Sequence, residues 1–267
     1  PTAALEQSTK KCYDVVKLIR IYPTGYRSLL TLRLVQKSGG RSAFFNKYPD
    51  MKLVSPENAN ETLHLHGTIL VYRSIDNYIL RKSYIIDIFI PTDSDLLPYV
   101  MDTGNQISSG YHHYYSDGRL CLATDTDIRI RFINGFDLNE WMDEYVEPYF
   151  LSYEYFQRYG EFPFGERAHY FVGIVQSYQE HLQACNFTKT VQIMRYSRDH
   201  SYRGHHDCPC SSNTNIRKCH GQHMLPFYTD MRLQQILLSD LITIEEGIEK
   251  FNDYEQNKRK TKRKGNA

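Results

Sequence analysis

This chain of 267 residues lacks long apolar runs: nowhere do about 18 uninterrupted apolar residues predict a membrane-spanning helix. The first residues, Pro1 to Gln7, lack the charged start and apolar core of a secretory signal. A large excess of one charge is also missing, because 32 Lys and Arg face 31 Asp and Glu. We therefore expect a cytoplasmic protein with no membrane partner and, over most of its surface, no electrostatic attraction for nucleic acid.

Cysteines are few, and their spacing does not resemble a disulfide framework. Three of the six are widely separated, and the other three cluster with histidines near the C-terminus. The separated cysteines are Cys12, Cys121 and Cys185, and the clustered ones are Cys208, Cys210 and Cys219. This distribution is typical of an intracellular protein with a metal site.

Apolar periodicity predicts an α+β fold. We expect a helix over 5–20, strands over 26–35, 63–72 and 83–90, and a short strand over 99–103. The strands over 63–72 and 83–90 are rich in β-branched and aromatic residues and are separated by a polar link, which favours antiparallel pairing. Pro91 should end the second of them.

The periodicity becomes helical after Cys121. Asp137 and Glu140 have the spacing of a capping box, which predicts a helix start. Residues 162–165, Phe-Pro-Phe-Gly, should end this helix before a second one that includes 171–182. We place a domain boundary near residue 190 and predict a large domain (1–190), a small module (191–228), a C-terminal helix (229–252) and a basic, disordered tail (253–267).

A single cysteine in an exposed connection is the candidate nucleophile. Cys121 follows the turn-forming pair Asp117-Gly118, whereas a structural cysteine usually lies within a periodic apolar segment. Asp117 and Gly118 are expected to shape the turn, since glycine permits unusual backbone angles. Two histidines, His112 and His113, come shortly before it.

The segment 63–122 resembles the core of a ubiquitin-conjugating enzyme, in the divergent form found in bacterial ubiquitin-like and antiviral operons. That family carries His-Pro-Asn, a short spacer and then Asp-Gly-x-Ile/Val-Cys-Leu. Residues 117–122, Asp-Gly-Arg-Leu-Cys-Leu, match the second part, whereas Tyr111, His112 and His113 replace the first. The resemblance implies an antiparallel sheet flanked by helices over roughly 60–185, with Cys121 as the thioester-forming residue.

The resemblance also gives His113 the position of the family's Asn, which stabilises the oxyanion during transfer to an amine. A histidine could donate a hydrogen bond there and, unlike Asn, accept a proton. The structural alternative is that His113 and His112 only brace the loop. We weigh the two roles evenly for His113 and favour the bracing role for His112.

A metal site is predicted near the C-terminus. Cys208, Cys210, Cys219 and His220 lie within thirteen positions and suit structural, tetrahedral Zn²⁺ with three thiolates and one imidazole. The spacing is similar to the SEC-C zinc motif, which begins Cys-Pro-Cys and ends Cys-Cys/His. Nearby histidines compete for the fourth position: His205, His206 and His223.

Two functions are therefore open. The first is a ubiquitin-conjugating-type acyltransferase of bacterial antiphage defence, which carries a ubiquitin-like protein or a nucleotide cyclase on Cys121 and passes it to a target lysine. It would need a separate activating enzyme, because the sequence contains no Gly-rich nucleotide-binding motif. The second is a catalytically silent binding module with a structural zinc site. A cysteine hydrolase has less support, because the sequence does not assemble a Cys-His-Asn/Asp set.

Overall fold

The computed structural model describes residues 43–54, 62–91 and 96–264, and it shows an α+β fold. The chain divides into two compact units between Glu166 and Arg167. The helix expected over 5–20 and the strand expected over 26–35 lie outside the described residues. Within the described ranges, no helix combines the length and apolar character needed to cross a membrane.

The first unit is built on a four-stranded antiparallel sheet in which neighbours in sequence are neighbours in space. Its strands are β1 (Met51–Val54), β2 (Thr62–Ile75), β3 (Tyr78–Pro91) and β4 (Tyr99–Asp102). A two-residue turn joins β2 to β3, and Asp76 has a φ of 48° there. The expected antiparallel pairing of β2 with β3 and the strand end at Pro91 are both found. β2 and β3 are longer than the expected 63–72 and 83–90, whereas β4 ends one residue before the expected 103.

The sheet buries one face, as the alternation of its side chains requires. Leu65, Ile69 and Val71 of β2 point inward and are buried. β1 lies so close to β2 that a Cβ on Gly67 would fall 2.2 Å from the carbonyl oxygen of Asp50. Glycine at this position therefore allows the two strands to approach each other.

The first unit also contains helices, and one of them packs against the buried face of the sheet. They are α1 (Ala43–Lys47), α2 (Asp125–Arg131), α3 (Leu138–Trp141) and α4 (Glu147–Tyr159), with a π-helical turn over Met142–Val146. The predicted capping at the start of α3 is present, because the Asp137 carboxylate accepts a hydrogen bond from the Glu140 amide at 3.0 Å. Phe150 of α4 is fully buried and stacks on Tyr84 of β3 with 4.1 Å between the ring centroids.

The second unit is helical. It contains α5 (Tyr170–Leu182), α6 (Phe187–Asp199), a 3-10 turn (Ile216–Lys218), α7 (Gly221–Met224), α8 (Pro226–Thr229) and α9 (Met231–Lys264). The Tyr178 hydroxyl donates to the Asp240 carboxylate at 3.1 Å and joins α5 to α9. Residue 190, near which we expected a boundary, lies inside α6 instead, since α5 and α6 pack with α9.

The C-terminal helix is also longer than expected. α9 continues to Lys264, through most of the segment predicted to be a disordered tail over 253–267. The continuation is compatible with composition, because Lys, Arg, Gln and Glu are all good helix formers. Apolar periodicity alone, which stops near residue 248, therefore placed the helix end too early.

Candidate active site and candidate metal centre

The chain enters the Cys121 loop directly from the last strand of the sheet. The Leu120 amide donates to the Val100 carbonyl at 2.9 Å, so this segment continues the pairing at the β4 edge. One residue later, the Cys121 amide donates to the His113 carbonyl at 2.8 Å. The same carbonyl accepts a hydrogen bond from the Tyr149 hydroxyl at 3.1 Å. These bonds fix the cysteine backbone against both the sheet and helix α4.

A tight turn precedes the cysteine. Gly118 has a φ of 88°, a conformation that favours glycine, and a Cβ there would lie 2.9 Å from Met101 Cε. The Asp117 carboxylate accepts a hydrogen bond from the Arg119 amide at 3.1 Å and from its guanidinium at 2.8 Å. Asp117 and Gly118 thus lie within the turn that presents Cys121.

The Cys121 side chain is half-buried, and three influences act on its ionisation. Burial raises the pKa of the thiol, a hydrogen bond with Tyr115 opposes that effect, and the negative charge of Asp125 adds to it. The net direction is upward, so the neutral thiol predominates at pH 7. Neither Tyr115 nor Asp125 shares a recognisable motif with Cys121, so only the fold identifies them as neighbours of the thiol.

His113 lies beside this thiol. One of its ring nitrogens and Cys121 Sγ are within 4.8 Å of each other. The ring packs edge-on against Phe162 at 5.3 Å, and the side chain is only 17% exposed. His112 is more exposed and lies at the periphery of the loop.

A carboxylate that the sequence did not single out lies beside the loop. Glu166 Oε1 is 3.7 Å from His113 Nε2 and also 3.7 Å from His112 Nδ1. Glu166 follows Cys121 by 45 positions and belongs to no motif, so only the fold brings it to the loop. A cysteine, a histidine and a glutamate are thereby assembled within one unit.

The second unit brings the four predicted metal ligands together. The ligand atoms of Cys208, Cys210, Cys219 and His220 all lie within 4.8 Å of one another. His220 Nδ1 is 3.3 Å from Cys208 Sγ and 3.1 Å from Cys219 Sγ, and the sulfurs of Cys210 and Cys219 are 3.5 Å apart. Tetrahedral zinc, with bonds of about 2.3 Å to sulfur and about 2.0 Å to nitrogen, needs ligand atoms roughly 3.5 to 3.8 Å apart. The cluster could hold a metal ion.

The fourth position belongs to His220 in this arrangement. Burial lowers the pKa of its imidazole, which keeps it in the neutral form that binds metals. A hydrogen bond between the imidazole and the backbone of Gln183 raises this pKa. The same bond would fix the orientation of the ring as a metal ligand. Two competing histidines have other neighbours: His206 Nδ1 lies 3.3 Å from the Tyr196 hydroxyl, and His223 Nε2 lies 2.8 Å from Gln222.

The cysteines of the cluster ionise unequally. Burial raises the pKa of the Cys208 thiol to about 12. Burial also opposes ionisation of Cys219, but hydrogen bonds from Ser212 and Cys210 outweigh it and lower the pKa of this thiol. Cys219 therefore ionises more readily than Cys208, and a bound cation would have to displace the proton from Cys208.

Comparison with known proteins adds no family to this description. No protein-family model, curated protein or solved structure matches the chain.

Proposed function

We propose that the chain is a ubiquitin-conjugating-like acyl carrier in which Cys121 receives an activated protein C-terminus as a thioester and passes it to an amine. The supporting observation is the order of the first unit. A four-stranded antiparallel sheet leads from β4 directly into the loop that presents Cys121 beside His113, and helices follow. This order agrees with what the Asp-Gly-Arg-Leu-Cys-Leu resemblance implies.

The chemistry of the thiol suits a carrier. Transfer from a donor thioester needs little activation of the receiving cysteine, because the group that leaves is itself a thiolate. A raised pKa also makes Cys121 a poorer leaving group, since thiols of lower pKa leave faster. The acyl group would therefore persist on Cys121 until a suitable acceptor arrives.

The partners follow from the proposed reaction. A separate enzyme of the ubiquitin-activating type would supply the thioester, and the donor would be a ubiquitin-like protein or a nucleotide cyclase. The acceptor would be a lysine of a target protein. Antiphage defence is the setting that the resemblance implies.

The test is formation of an adduct that depends on Cys121. We expect the protein incubated with its activating enzyme and donor to form a conjugate that reducing agent removes. Cys121→Ala should abolish it, and Cys121→Ser should form an oxyester that resists the reducing agent. Cys185→Ser is the matched control, because this exposed cysteine lies outside both sites. An adduct that survives in Cys121→Ala would contradict the proposal, and no adduct with any tested donor would favour the silent binding module.

One observation favours a second candidate, a cysteine hydrolase: His113 lies near Cys121, and Glu166 lies near His113. The raised pKa of Cys121 argues against it, because hydrolases depend on an activated thiolate. The two functions differ in what accumulates. A hydrolase would release free acid from a thioester without a lasting adduct, whereas a carrier would retain the acyl group until an amine is added.

We further propose that the ion of the cysteine cluster is zinc and that its role is structural. Three thiolates and one imidazole occupy all four positions of a tetrahedral site and leave none for a substrate water. The segment over 201–220 contains few apolar residues, so metal binding would supply much of its stability.

The metal proposal is tested by elemental analysis of protein purified without chelators. We expect one zinc per chain, which should be lost in Cys210→Ser and retained in Cys185→Ser. Purified protein that contains no zinc, or Cys210→Ser protein that retains it, would show that the assignment is wrong.

A further inference from the structure

Two imidazoles share one carboxylate next to the reactive loop. Glu166 Oε1 lies 3.7 Å from His113 Nε2 and 3.7 Å from His112 Nδ1. These distances are suitable for ion pairs and longer than a hydrogen bond. A ring nitrogen of His113 is also within 4.8 Å of Cys121 Sγ. His113 is therefore close both to a negative charge and to the sulfur that would carry the acyl group.

The position of His113 is held from several sides. Its carbonyl accepts hydrogen bonds from the Cys121 amide at 2.8 Å and from the Tyr149 hydroxyl at 3.1 Å. Its ring makes edge-on contacts with Phe162 and Tyr111, at centroid distances of 5.3 Å and 5.6 Å. A ring held in this way loses little entropy when it takes part in proton transfer.

The attacking amine creates a need for a proton acceptor. When an amine adds to a carbonyl carbon, its nitrogen becomes positively charged and must lose a proton. A neutral imidazole can take that proton near pH 7, whereas the carboxamide found at this position in the ubiquitin-conjugating family cannot. A carboxylate near the ring stabilises the imidazolium that forms, as the aspartate does in serine proteases.

On the basis of the acyl-transfer function proposed above, we propose that Glu166 is a positioning residue that holds His113 as the proton acceptor for the incoming amine. The amine nitrogen forms a bond to the thioester carbon, and the C–S bond breaks with its electron pair leaving on the Cys121 sulfur. The amine proton passes to His113, and the imidazolium returns it to that sulfur. The products are an amide and a neutral Cys121 thiol.

The step is balanced without another reactant. One N–H bond and one C–S bond are exchanged for one C–N bond and one S–H bond. Burial favours the neutral form of Cys121, so the sulfur is a suitable final proton acceptor. Glu166 Oε1 lies 3.7 Å from His113 Nε2, close enough for the carboxylate to stabilise the imidazolium that forms.

The test separates loading of Cys121 from discharge. The probe is a small thioester of N-acetylglycine, and intact mass spectrometry follows first the acyl group on Cys121 and then its transfer to free lysine. We expect Glu166→Gln and His113→Ala to load within about twofold of the natural protein. Discharge onto lysine should fall by about 100-fold in His113→Ala and by about 10-fold in Glu166→Gln. Added imidazole should partly restore discharge in His113→Ala.

Controls distinguish this role from a structural one. Glu161→Gln removes the same charge five positions earlier on an exposed side chain and should discharge normally. Glu166→Asp, which keeps the charge, should discharge faster than Glu166→Gln. If Glu166→Gln loads and discharges as the natural protein does, or loses loading and discharge equally, the inference is overturned while the acyl-carrier function stands. If the natural protein takes up no acyl group on Cys121, both are overturned.

Discussion

The ionisation of Cys121 gives the most direct quantitative prediction, because two neighbours act on it in opposite directions. Tyr115 donates a hydrogen bond that stabilises the thiolate, and Asp125 places a negative charge that destabilises it. Tyr115→Phe should therefore raise the pKa of Cys121, and Asp125→Asn should lower it. Neither change alters the size of the side chain much, so the loop should keep its geometry.

The magnitude for Tyr115→Phe follows from the strength of the lost bond. A hydrogen bond to a charged group contributes about 1.5–3 kcal/mol, and about 1.4 kcal/mol corresponds to one pKa unit. Cys121 is only half-buried, so we take the lower limit, about one unit. At pH values below the midpoint the thiolate fraction falls about tenfold. The greater nucleophilicity of a more basic thiolate recovers about threefold of this, which leaves a net loss of roughly three- to fourfold in rate. For Asp125→Asn we expect a smaller shift, about half a unit downward.

The assay is the rate of alkylation by iodoacetamide as a function of pH. Trypsin cleaves after Arg119 and Arg129 and releases residues 120–129, a peptide whose one cysteine is Cys121, so mass spectrometry follows this thiol separately from the others. Tyr114→Phe is the matched control and should leave the midpoint unchanged. Midpoints that move in the same direction in Tyr115→Phe and Asp125→Asn, or that do not move, would refute the assigned electrostatics.

Two further predictions concern the stability of the first unit, measured by urea denaturation. Gly67→Ala should destabilise the unit by about 2–3 kcal/mol, because the new methyl group would meet the Asp50 carbonyl and push β1 away from β2. The control is Gly160→Ala, which should cost less because its methyl group would meet no neighbouring atom within 4 Å. Equal losses in the two variants would contradict the steric reason. Arg73→Met should lower the free energy of unfolding by about 2 kcal/mol, because it removes the guanidinium that donates to the buried Glu147 carboxylate at 2.6 Å. This loss is smaller than for a fully buried ion pair, because the Arg73 side chain is partly exposed. If Arg73→Met changes the free energy of unfolding by less than about 0.5 kcal/mol, the usual range for surface substitutions, this expectation is wrong.

Local features were predictable from the sequence. The pairing of β2 with β3 could be predicted because both strands are strongly apolar and only Asp76 and Asn77 separate them. The cap at Asp137 and the grouping of the metal ligands are equally local, since all four ligands lie within thirteen positions. Contacts of this kind depend on the backbone geometry of a few neighbouring residues.

Features that depend on tertiary structure were not predictable. Glu166 approaches His113 from 53 positions away, counted from 113 to 166. Tyr115 belongs to no motif that marks it as a partner of Cys121, yet its hydroxyl reaches the thiol. The boundary expected near residue 190 reflects a change to polar composition, whereas the compact unit begins at Arg167 because α5 and α6 bury their apolar faces with α9. The amino-acid composition of a segment indicates how much of it is exposed to solvent. It does not indicate which other helix covers the apolar face of a given helix.

The burial of Cys121 connects the two proposals. A thiol of raised pKa holds an acyl group securely, because it is a poor leaving group towards water and amines alike. The same property slows the productive transfer, so a carrier of this kind needs assistance that acts on the amine rather than on the sulfur. A proton acceptor beside the thioester provides that assistance. A histidine with a nearby carboxylate, in the place where the ubiquitin-conjugating family has an asparagine, fits this requirement.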